Sequence, residues 1–392
     1  MSSLVDSGLS PAGVAGRERA PFFAHHSDLA ALRERSRLRA LVTRSGIDFA
    51  SNDYLALSSA PRMTAAVEQA IARGVALGSG GSRLLRGNDP EHEALEAEAA
   101  AFFGAEAALY FSTGYAANAA LLSTLPQHGD LIVHDALVHA SAHEGMRLGR
   151  AGTIAAPHNE AQGFDDAIVA WREAGGTGRP WIAVESLYSM DGDRAPLADL
   201  TAVAARHDAM VLIDEAHATG VFGLDGRGLA ADLEGRPNVI TLRTCGKALG
   251  CEGALVLGPR IVCDFLVNRA RGFIFSTAPS PLMASAVREG LRILANEPER
   301  RTRLWDLIAI AERHLVAHGV RPTGSQILPL VLGDDARTMR VAEALQAAGF
   351  DVRGIRPPTV PVGTSRLRIS LTLNATGQDV AALTDVLGDA LR

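Results

Sequence analysis

Short apolar runs alternate with helical stretches through the middle of this 392-residue chain, and this rhythm constrains the fold more than any other feature of the sequence. The apolar runs lie at 107–111, 131–134, 153–156, 181–185, 210–214 and 239–242. Strands that alternate with helices are typical of crossover connections. The pattern therefore predicts an α/β fold in which a mostly parallel sheet carries helices on both faces.

The rhythm changes near residue 280, where a long helical region at 279–317 is interrupted at 296–298. Shorter strands and helices follow it. We therefore predict a large domain over residues 46–285 and a smaller α+β domain over 286–392. Residues 1–45 are predicted to form an N-terminal arm that packs with the small domain. The predicted elements of the arm and the small domain are a helix at 27–41 capped by Ser27, strands at 327–332, 352–355 and 367–371, and helices at 336–348 and from 378.

Composition excludes several classes of function. The net charge is −6 and the arginines are dispersed, so no nucleic-acid partner is expected. No apolar run approaches the ~20 residues of a membrane span, and the first twenty residues do not resemble a signal peptide. Three cysteines without a disulfide pattern suit the cytoplasm. Neither a His-Glu-x-x-His motif nor paired Cys-x-x-Cys motifs occur, so no metal site is expected.

Lys247 is the one lysine in a chain with 38 basic residues. An arginine cannot lose its proton in a protein, whereas a neutral lysine amine can attack a carbonyl group and form a Schiff base. A retained amine therefore indicates covalent chemistry at position 247. The alternative is that a strong bias towards arginine left one lysine at an arbitrary place.

Asp214 ends the predicted strand at 210–214 and His217 follows it, whereas Lys247 follows the strand at 239–242. Open α/β sheets bind ligands at the carboxyl ends of their strands. Pyridoxal phosphate (PLP) needs a lysine for the Schiff base and a carboxylate that keeps its pyridine nitrogen protonated. The sequence therefore predicts a PLP site at this edge of the sheet.

Other loops beyond strand ends carry weaker signals. Residues 112–115 lead into a helix N-terminus, which favours a phosphate but is also an ordinary turn. His139 could stack on a pyridine ring or could be structural. Arg366 and Arg368 alternate along a strand and should face the same way. Such a pair binds a carboxylate in a pocket or is solvated on an edge strand.

Several motifs in one order resemble the PLP-dependent α-oxoamine synthases of fold type I, over residues 27–392. The motifs that carry the resemblance are Ser51-Asn52-Asp53-Tyr54-Leu55, Gly78-Ser79-Gly80-Gly81-Ser82, Ser112-Thr113-Gly114-Tyr115, His139-Ala140-Ser141, Ser189-Met190-Asp191-Gly192-Asp193, Asp214-Glu215-Ala216-His217, Thr244-Cys245-Gly246-Lys247, Phe275-Ser276-Thr277 and Ile355-Arg356-Pro357-Pro358-Thr359-Val360-Pro361.

The resemblance implies roles for individual residues. The catalytic residues it implies are Lys247, His139, Asp214 and His217. The residues it implies for cofactor binding are Gly114, Tyr115, His139, Ser189, Asp214, His217, Thr244, Lys247 and Thr277. The residues it implies for substrate binding are Arg33, Asn52, Thr359 and Arg368, with Arg35 as an alternative to Arg33. Thr277 would reach the phosphate in the partner subunit of a homodimer.

The stretch at 355–361 points, within the family, to a member that condenses L-alanine with a pimeloyl thioester, carried on coenzyme A or on a carrier protein. The alternatives are a relative that uses glycine or serine with another acyl thioester, and a catalytically silent subunit, which would be expected to lack Lys247. The sequence departs from the family pattern at Cys251-Glu252 and at Thr372-Leu373-Asn374. These departures affect the rim of the pocket and the acyl side more than the cofactor.

Overall fold

The predicted alternation of strands and helices is present in the computed structural model, which describes residues 21–392. The strands are β1 (Ile47–Asp48), β2 (Ala107–Phe111), β3 (Leu131–Asp135), β4 (Gly152–Ala156), β5 (Pro180–Glu185), β6 (Met210–Asp214), β7 (Val239–Thr244), β8 (Ala254–Gly258), β9 (Ile327–Gly333), β10 (Phe350–Asp351), β11 (Arg353–Ile355) and β12 (Ser365–Ser370). The α-helices are α1 (Phe23–Glu34), α2 (Pro61–Ala72), α3 (Pro90–Phe103), α4 (Gly114–Thr124), α5 (Ala140–Leu148), α6 (Ala161–Glu173), α7 (Leu197–His207), α8 (Arg260–Arg269), α9 (Arg271–Ile274), α10 (Pro281–Asn296), α11 (Pro298–Leu315), α12 (Asp335–Ala347) and α13 (Gly377–Leu391).

A large sheet dominates the described chain, with the strand order β2-β8-β7-β6-β5-β3-β4. Neighbouring strands run parallel except at β8, which is antiparallel to both β2 and β7. The prediction of a mostly parallel sheet is therefore confirmed. The parallel strands β3, β5, β6 and β7 are buried along almost their whole length, as expected of strands that are covered on both faces.

Alternate side chains of the central strands enter two different cores. Trp181 and Ala183 pack with apolar residues of α4, α5 and α8, whereas Ile182 and Val184 pack with α6 and α7. Because successive side chains of a strand point to opposite faces, this division shows that helices cover the sheet on both sides. The loops at the carboxyl ends of the strands are left free to line a site.

A smaller antiparallel sheet, with the order β11-β12-β9, lies in the C-terminal part of the chain and carries Arg366 and Arg368 on β12. The predicted α+β character of this part is therefore present. The predicted boundary at 285/286 falls inside α10, which packs against α2 and α3. The division into domains stays a prediction, and the first twenty residues of the predicted arm lie outside the described residues.

The N-terminal helix differs from its prediction. The helix begins at Phe23 rather than Ser27 and ends at Glu34 rather than residue 41. Ser36 has a left-handed backbone (φ 55), and 37–46 continue without regular structure. Tertiary contacts explain the early end: Arg37 Nε donates to Asp335 Oδ2 at 2.6 Å, and the Arg356 guanidinium donates to the Ser36 carbonyl. These contacts join the arm to the small sheet and α12.

Strand β8 was not predicted. Its five residues are buried and apolar, but they follow the Lys247 loop without an intervening helix. An antiparallel strand inserted between β2 and β7 breaks the strand–helix alternation from which the other strands were inferred. Its place depends on pairing with β2, about 150 residues away along the chain.

None of the helices within residues 21–392 combines the length and the apolar character that crossing a membrane requires.

A buried ion cluster supports the end of β6. Arg243, on β7, is fully buried, and its guanidinium donates to Glu234 Oε1 at 2.6 Å, to Glu215 Oε2 at 3.2 Å and to the Arg227 carbonyl at 2.6 Å. Gly228 closes the cluster, because a Cβ there would lie 1.5 Å from Glu215 Oε2. Glu215 directly follows Asp214, so the cluster helps to fix the backbone that presents Asp214.

Replacing Arg243 with Met should lower the free energy of unfolding by about 3–5 kcal/mol, because two buried carboxylates lose their partner. Chemical denaturation monitored by circular dichroism measures this change. As a matched control, Arg147→Ala removes an exposed ion pair with Glu144 and should cost less than about 1 kcal/mol. Equal losses in the two variants would contradict a special role for the buried cluster.

Candidate active site

Asp214 lies at the carboxyl end of β6 and is nearly buried. Its Oδ2 accepts a hydrogen bond from Asn118 Nδ2 at 2.7 Å, and its Oδ1 accepts one from the Ala216 backbone N–H at 2.9 Å. Both partners can only donate, so the hydrogen bonds suit a carboxylate. The structure thus presents an anion at the predicted edge of the sheet.

Lys247 lies close to Asp214 and His217, as the sequence predicts. Its Nζ is 2.6 Å from His217 Nε2. Burial lowers the pKa of Lys247 to about 8, although the charges of Asp214 and Glu185 act in the opposite direction. An amine with this pKa is partly neutral at physiological pH, and the neutral form is the nucleophile.

A hydrogen-bond chain leads from His217 to Arg368 and determines the histidine tautomer. Arg368 Nη2 and the Tyr54 hydroxyl both donate to Asn52 Oδ1, each at 3.0 Å. Since the Tyr54 proton is used there, His217 Nδ1 must donate to the Tyr54 oxygen, 2.6 Å away. His217 Nε2 is then the acceptor that faces Lys247. Burial, aided by the charge of Lys247, lowers the pKa of His217 well below its usual value, so the ring is neutral.

His139 is the N-cap of α5, and its Nδ1 accepts a hydrogen bond from the Ser141 backbone N–H at 3.2 Å. Ser141 Oγ lies 2.8 Å from the same nitrogen and accepts from Asn118 Nδ2 at 3.1 Å. Because Nδ1 is an acceptor, the neutral ring carries its proton on Nε2. Partial desolvation of the ring lowers the pKa of His139, which favours this neutral form. Asn118 therefore links the His139 loop to Asp214.

The N-terminus of α4 provides an anion-binding element. Thr113 caps the helix by accepting from the Ala116 N–H at 3.0 Å, and Gly114 and Tyr115 form its first turn. Thr244 is close by, since a Cβ at Gly114 would lie 3.6 Å from Thr244 Oγ1. Free backbone N–H groups at a helix N-terminus favour a phosphate.

His139 lines a smaller and a larger cavity that both contain predicted site residues. The smaller has an empty volume of about 520 Å³, and the predicted site residues that line it are Gly114, Tyr115, His139, Asp214, His217, Thr244 and Lys247. The larger has an empty volume of about 1340 Å³ and is lined by Ser189, Thr359 and Arg39, among others. The predicted residues Asn52 and Arg368 join these sites through the hydrogen-bond chain, and Arg368 Nε donates to the Ser189 carbonyl at 2.6 Å.

Arg33 and Thr277 do not lie with the other predicted residues in the described chain. Arg33 is exposed near the end of α1, and Arg35 lies beside Arg37 and Asp335 instead. In the described part of the arm, Arg39 lines the larger cavity, and its Nη2 donates to Thr359 Oγ1 at 3.1 Å. Thr277 is exposed, which leaves it accessible to another subunit.

The sequence predicted no role for Asn118, Tyr54 or Ser141, and for residues 185–193 it predicted only polar contacts with a cofactor or a solvated loop. Asn118, Tyr54, Ser141 and Glu185 all contact the predicted residues or line the smaller cavity. The position of Asn118 in the sequence could have indicated that it belongs to the site. It lies four residues after Gly114 on α4, so it shares a helix face with the anion-binding turn. Glu185 also had a signal, since it ends a buried strand next to the one that ends at Asp214.

The pKa of Lys247 leads to a prediction for the cofactor-free protein. Acylation of Lys247 by an amine reagent, followed by peptide mass spectrometry, should increase with pH with a midpoint of about 8, since only the neutral amine reacts. Asp214→Asn should move the midpoint to lower pH, because the Asp214 charge raises the lysine pKa. Asp385→Asn, a change at an exposed position on α13, is the matched control and should leave the midpoint unchanged. A wild-type midpoint above about 10, as for an exposed lysine, would contradict this account.

Comparisons with known proteins agree with this geometry. The aminotransferase class I and II family matches residues 44–386. An 8-amino-7-oxononanoate synthase from Mycolicibacterium smegmatis is 42% identical over 362 residues, which cover 92% of this chain and 93% of the relative. Among solved structures, a serine palmitoyltransferase from S. paucimobilis has a TM-score of 0.85 at 28% identity, with 94% of this chain and 97% of the other covered.

A solved 8-amino-7-oxononanoate synthase from Francisella tularensis has a TM-score of 0.75 at 27% identity and covers 88% of this chain and 98% of its own. The relatives by sequence and by structure are thus α-oxoamine synthases, as the motifs indicated. The chain belongs to the aminotransferase class I and II family and, within it, to the PLP-dependent α-oxoamine synthases of fold type I.

Proposed function

We propose that the chain catalyses the 8-amino-7-oxononanoate synthase reaction, in which L-alanine condenses with a pimeloyl thioester and loses CO₂. The observation that carries this proposal is the position of the sole lysine. Its side chain is half-buried, and its amine faces a neutral His217 and the Asp214 carboxylate in a cavity at the carboxyl ends of parallel strands. Relatives named 8-amino-7-oxononanoate synthase that are 42–45% identical, over 87–92% of the chain, support the choice of reaction.

The side chains that line the smaller cavity fit PLP. Lys247 would hold the aldehyde carbon, Asp214 the pyridine nitrogen and His217 the ring hydroxyl, whereas His139 would stack on the ring. Gly114, Tyr115 and Thr244 would hold the phosphate at the N-terminus of α4. When bound, PLP supplies an electron sink for the negative charge that develops at the substrate α-carbon.

The residues of the chain would carry the protons. Lys247 has a pKa of about 8, so its neutral amine can take the proton from the α-carbon of alanine and return a proton to the product. The Nε2 atom of His217 faces the Lys247 amine and would lie beside the ring hydroxyl of bound PLP. The rigid chain to Tyr54 and Asn52 keeps His217 in this tautomer.

Arg368 is suited to the carboxylate of the amino acid. Its side chain is nearly buried, and its donors reach only neutral acceptors: the Ser189 carbonyl, Ser370 Oγ and Asn52 Oδ1. In the described part of the chain no carboxylate forms an ion pair with it. A buried guanidinium without an anion favours an anionic ligand, and a carboxylate can accept two of its hydrogen bonds.

The larger cavity would take the acyl chain. It adjoins the smaller cavity at His139 and is lined largely by apolar groups, including Leu137, Val138 and Val360. Thr359 and Arg39 lie on the same cavity and provide polar contacts for a pimeloyl thioester. Both coenzyme A and a carrier protein could deliver it there.

Serine palmitoyltransferase is the second candidate, because solved serine palmitoyltransferases have the higher TM-scores, 0.85 against 0.75. Sequence identity favours the alanine-specific reaction: 42–45% for curated 8-amino-7-oxononanoate synthases against 28% for that structure. Parallel assays with alanine, glycine and serine separate these reactions.

A homodimer is part of the proposal. Three large apolar side chains are exposed to solvent: Leu84, Leu85 and Phe275. They lie in two segments that are joined by a hydrogen bond of 2.9 Å from the Ala278 N–H to the Gly81 carbonyl. Exposed apolar patches of this kind mark interfaces. A partner subunit that covers them would bring Thr277 near the phosphate of the other site.

The free cysteines Cys245, Cys251 and Cys263 agree with a cytoplasmic location.

The purified protein with PLP, L-alanine and a pimeloyl thioester should release the thiol and form 8-amino-7-oxononanoate, as detected by mass spectrometry. Lys247→Arg should reduce turnover by at least about 10³-fold, because a guanidinium cannot form the Schiff base. After borohydride reduction, the cofactor mass should lie on the peptide that contains residue 247. The control Arg313→Lys adds a lysine at an exposed position, which should remain unlabelled. Product from glycine or serine but not from alanine would reject the assignment.

The shared-site prediction is tested by mixing inactive variants. Lys247→Ala protomers and Thr277→Asp protomers, whose carboxylate would repel the phosphate of the other subunit's site, are unfolded and refolded together. They should recover up to about a quarter of wild-type activity, because half of the dimers would be mixed and each would hold one intact site. Neither variant should recover activity when refolded alone. A mixture that remains as inactive as its components would contradict a site completed by Thr277 of the partner subunit.

A further inference from the structure

Glu185 is a buried carboxyl group with no role in the reaction described above. It ends β5 and is the register partner of Asp214 on the neighbouring parallel strand. Partners in a parallel pair point to the same face of the sheet. Glu185 is only 3% exposed and lines the same cavity as Asp214, His139 and Lys247. The site therefore contains two adjacent carboxyl groups.

The hydrogen bonds of these two carboxyl groups differ. Both oxygens of Asp214 accept from N–H donors, whereas Glu185 Oε1 has no hydrogen-bond partner among the described residues. A second buried carboxylate beside the first would be costly, because its charge is neither solvated nor fully hydrogen-bonded. The arrangement favours a protonated Glu185 beside an ionised Asp214.

The charges around Glu185 agree with this assignment. Burial, followed by the charge of Asp214, raises the pKa of Glu185 to about 8, while the charge of Lys247 and the nearby backbone N–H groups of Ser189 and His139 act in the opposite direction. Tyr188 lies nearby, and burial raises its pKa, so it remains a neutral phenol. Lys247 is thus the one cation among the groups that face Glu185 from the described elements, and it also faces Asp214.

The contacts of Glu185 have a structural consequence. The Glu185 carboxyl group lies close to backbone N–H groups of two loops, at His139 after β3 and at Ser189 after β5. Both loops line the cavities. One side chain therefore connects the strand edge to two loops that would contact the cofactor and the acyl chain.

We propose that Glu185 is a positioning residue of this active site: as a neutral carboxylic acid it holds the His139 and Ser189 loops beside Asp214 and leaves Asp214 as the single carboxylate that faces the cofactor. This inference rests on the proposed function for the identity of the cofactor, but the protonation state can be measured without it. Glu185→Gln, which keeps a neutral group of the same size, should preserve this positioning role, whereas Glu185→Ala should abolish it.

Infrared difference spectroscopy of the cofactor-free protein tests the protonation state. At pH 6.5, wild type minus Glu185→Gln should show the C=O stretch of a protonated carboxyl group, and the band should disappear as the pH is raised through about 8. Glu68→Gln, at an exposed position on α2, is the matched control and should show only carboxylate bands. Carboxylate bands from Glu185 at pH 6.5 would overturn the proposal.

The pH dependence of stability gives a second measurement with a defined sign. The folded protein retains the Glu185 proton at pH values where the unfolded chain, with a pKa near 4.5, releases it. Wild-type stability relative to Glu185→Gln should therefore fall as the pH rises from about 4.5 to about 8 and should then level off. A difference in Tm between the two proteins that does not change over this window would also overturn the proposal.

Cofactor binding tests the positioning role. PLP titration followed by visible circular dichroism should give Glu185→Gln a Kd within about threefold of wild type, and Glu185→Ala a Kd at least about tenfold weaker with an altered dichroic band. Loss of binding in both variants would mean that the negative charge is needed, and wild-type binding in both would mean that Glu185 positions nothing. Failure of the proposed reaction would appear as absence of product and would leave the infrared result intact.

Discussion

The parallel register of β5, β6 and β7 is the constraint on which the active site depends. Glu185 pairs with Asp214, and Asp214 pairs with Leu242, which lies five residues before Lys247. Neighbouring strands lie about 4.8 Å apart, so the register alone brings two carboxyl groups and one amine to the same edge of the sheet. The buried Arg243 cluster holds the backbone just beyond this edge. The loops add His139, Ser189 and Thr244 to an arrangement that the strands have already established.

Burial then assigns the chemical state of each group. The same exclusion of water lowers the pKa of Lys247 and of His217 and raises that of Glu185, since burial disfavours whichever form is charged. Burial alone therefore favours a neutral His217, a partly neutral Lys247 and a neutral Glu185. Arg368 cannot lose its proton, so it remains a cation that favours an anionic substrate group. The site thus combines one fixed cation with groups whose protons can move.

Hydrogen-bond chains link the groups of the site to one another through neighbouring side chains. Tyr54 and Asn52 connect His217 to Arg368, so the proposed cofactor and amino-acid positions share one rigid network. Asn118 connects Asp214 to Ser141 and His139 in the same way. A substitution in either chain should change the tautomer or orientation of a histidine before it changes the shape of the cavity.

The local pattern of the chain was enough to predict the alternating strands, the sheet edge that carries Asp214 and Lys247, and the anion-binding turn at Gly114. Each of these signals lies within a few residues: an apolar run followed by a polar group, or a strand that leads into a helix N-terminus. The one lysine was equally visible, because it differs in residue type from every other basic position. Resemblance to the α-oxoamine synthases added the roles of His139, His217 and Arg368, which no local pattern establishes.

Tertiary structure decided the rest, because it depends on contacts between distant parts of the chain. The end of α1 is determined by Asp335 and Arg356, about 300 residues away, and these contacts place Arg39 rather than Arg33 at the larger cavity. Strand β8 exists because β2 and β7 pair with it. The neutral state expected of Glu185 arises from its position beside Asp214 and away from water. Sequence thus determined which groups reach the edge of the sheet, and packing determined their partners and their protons, since burial and proximity are properties of the folded chain alone.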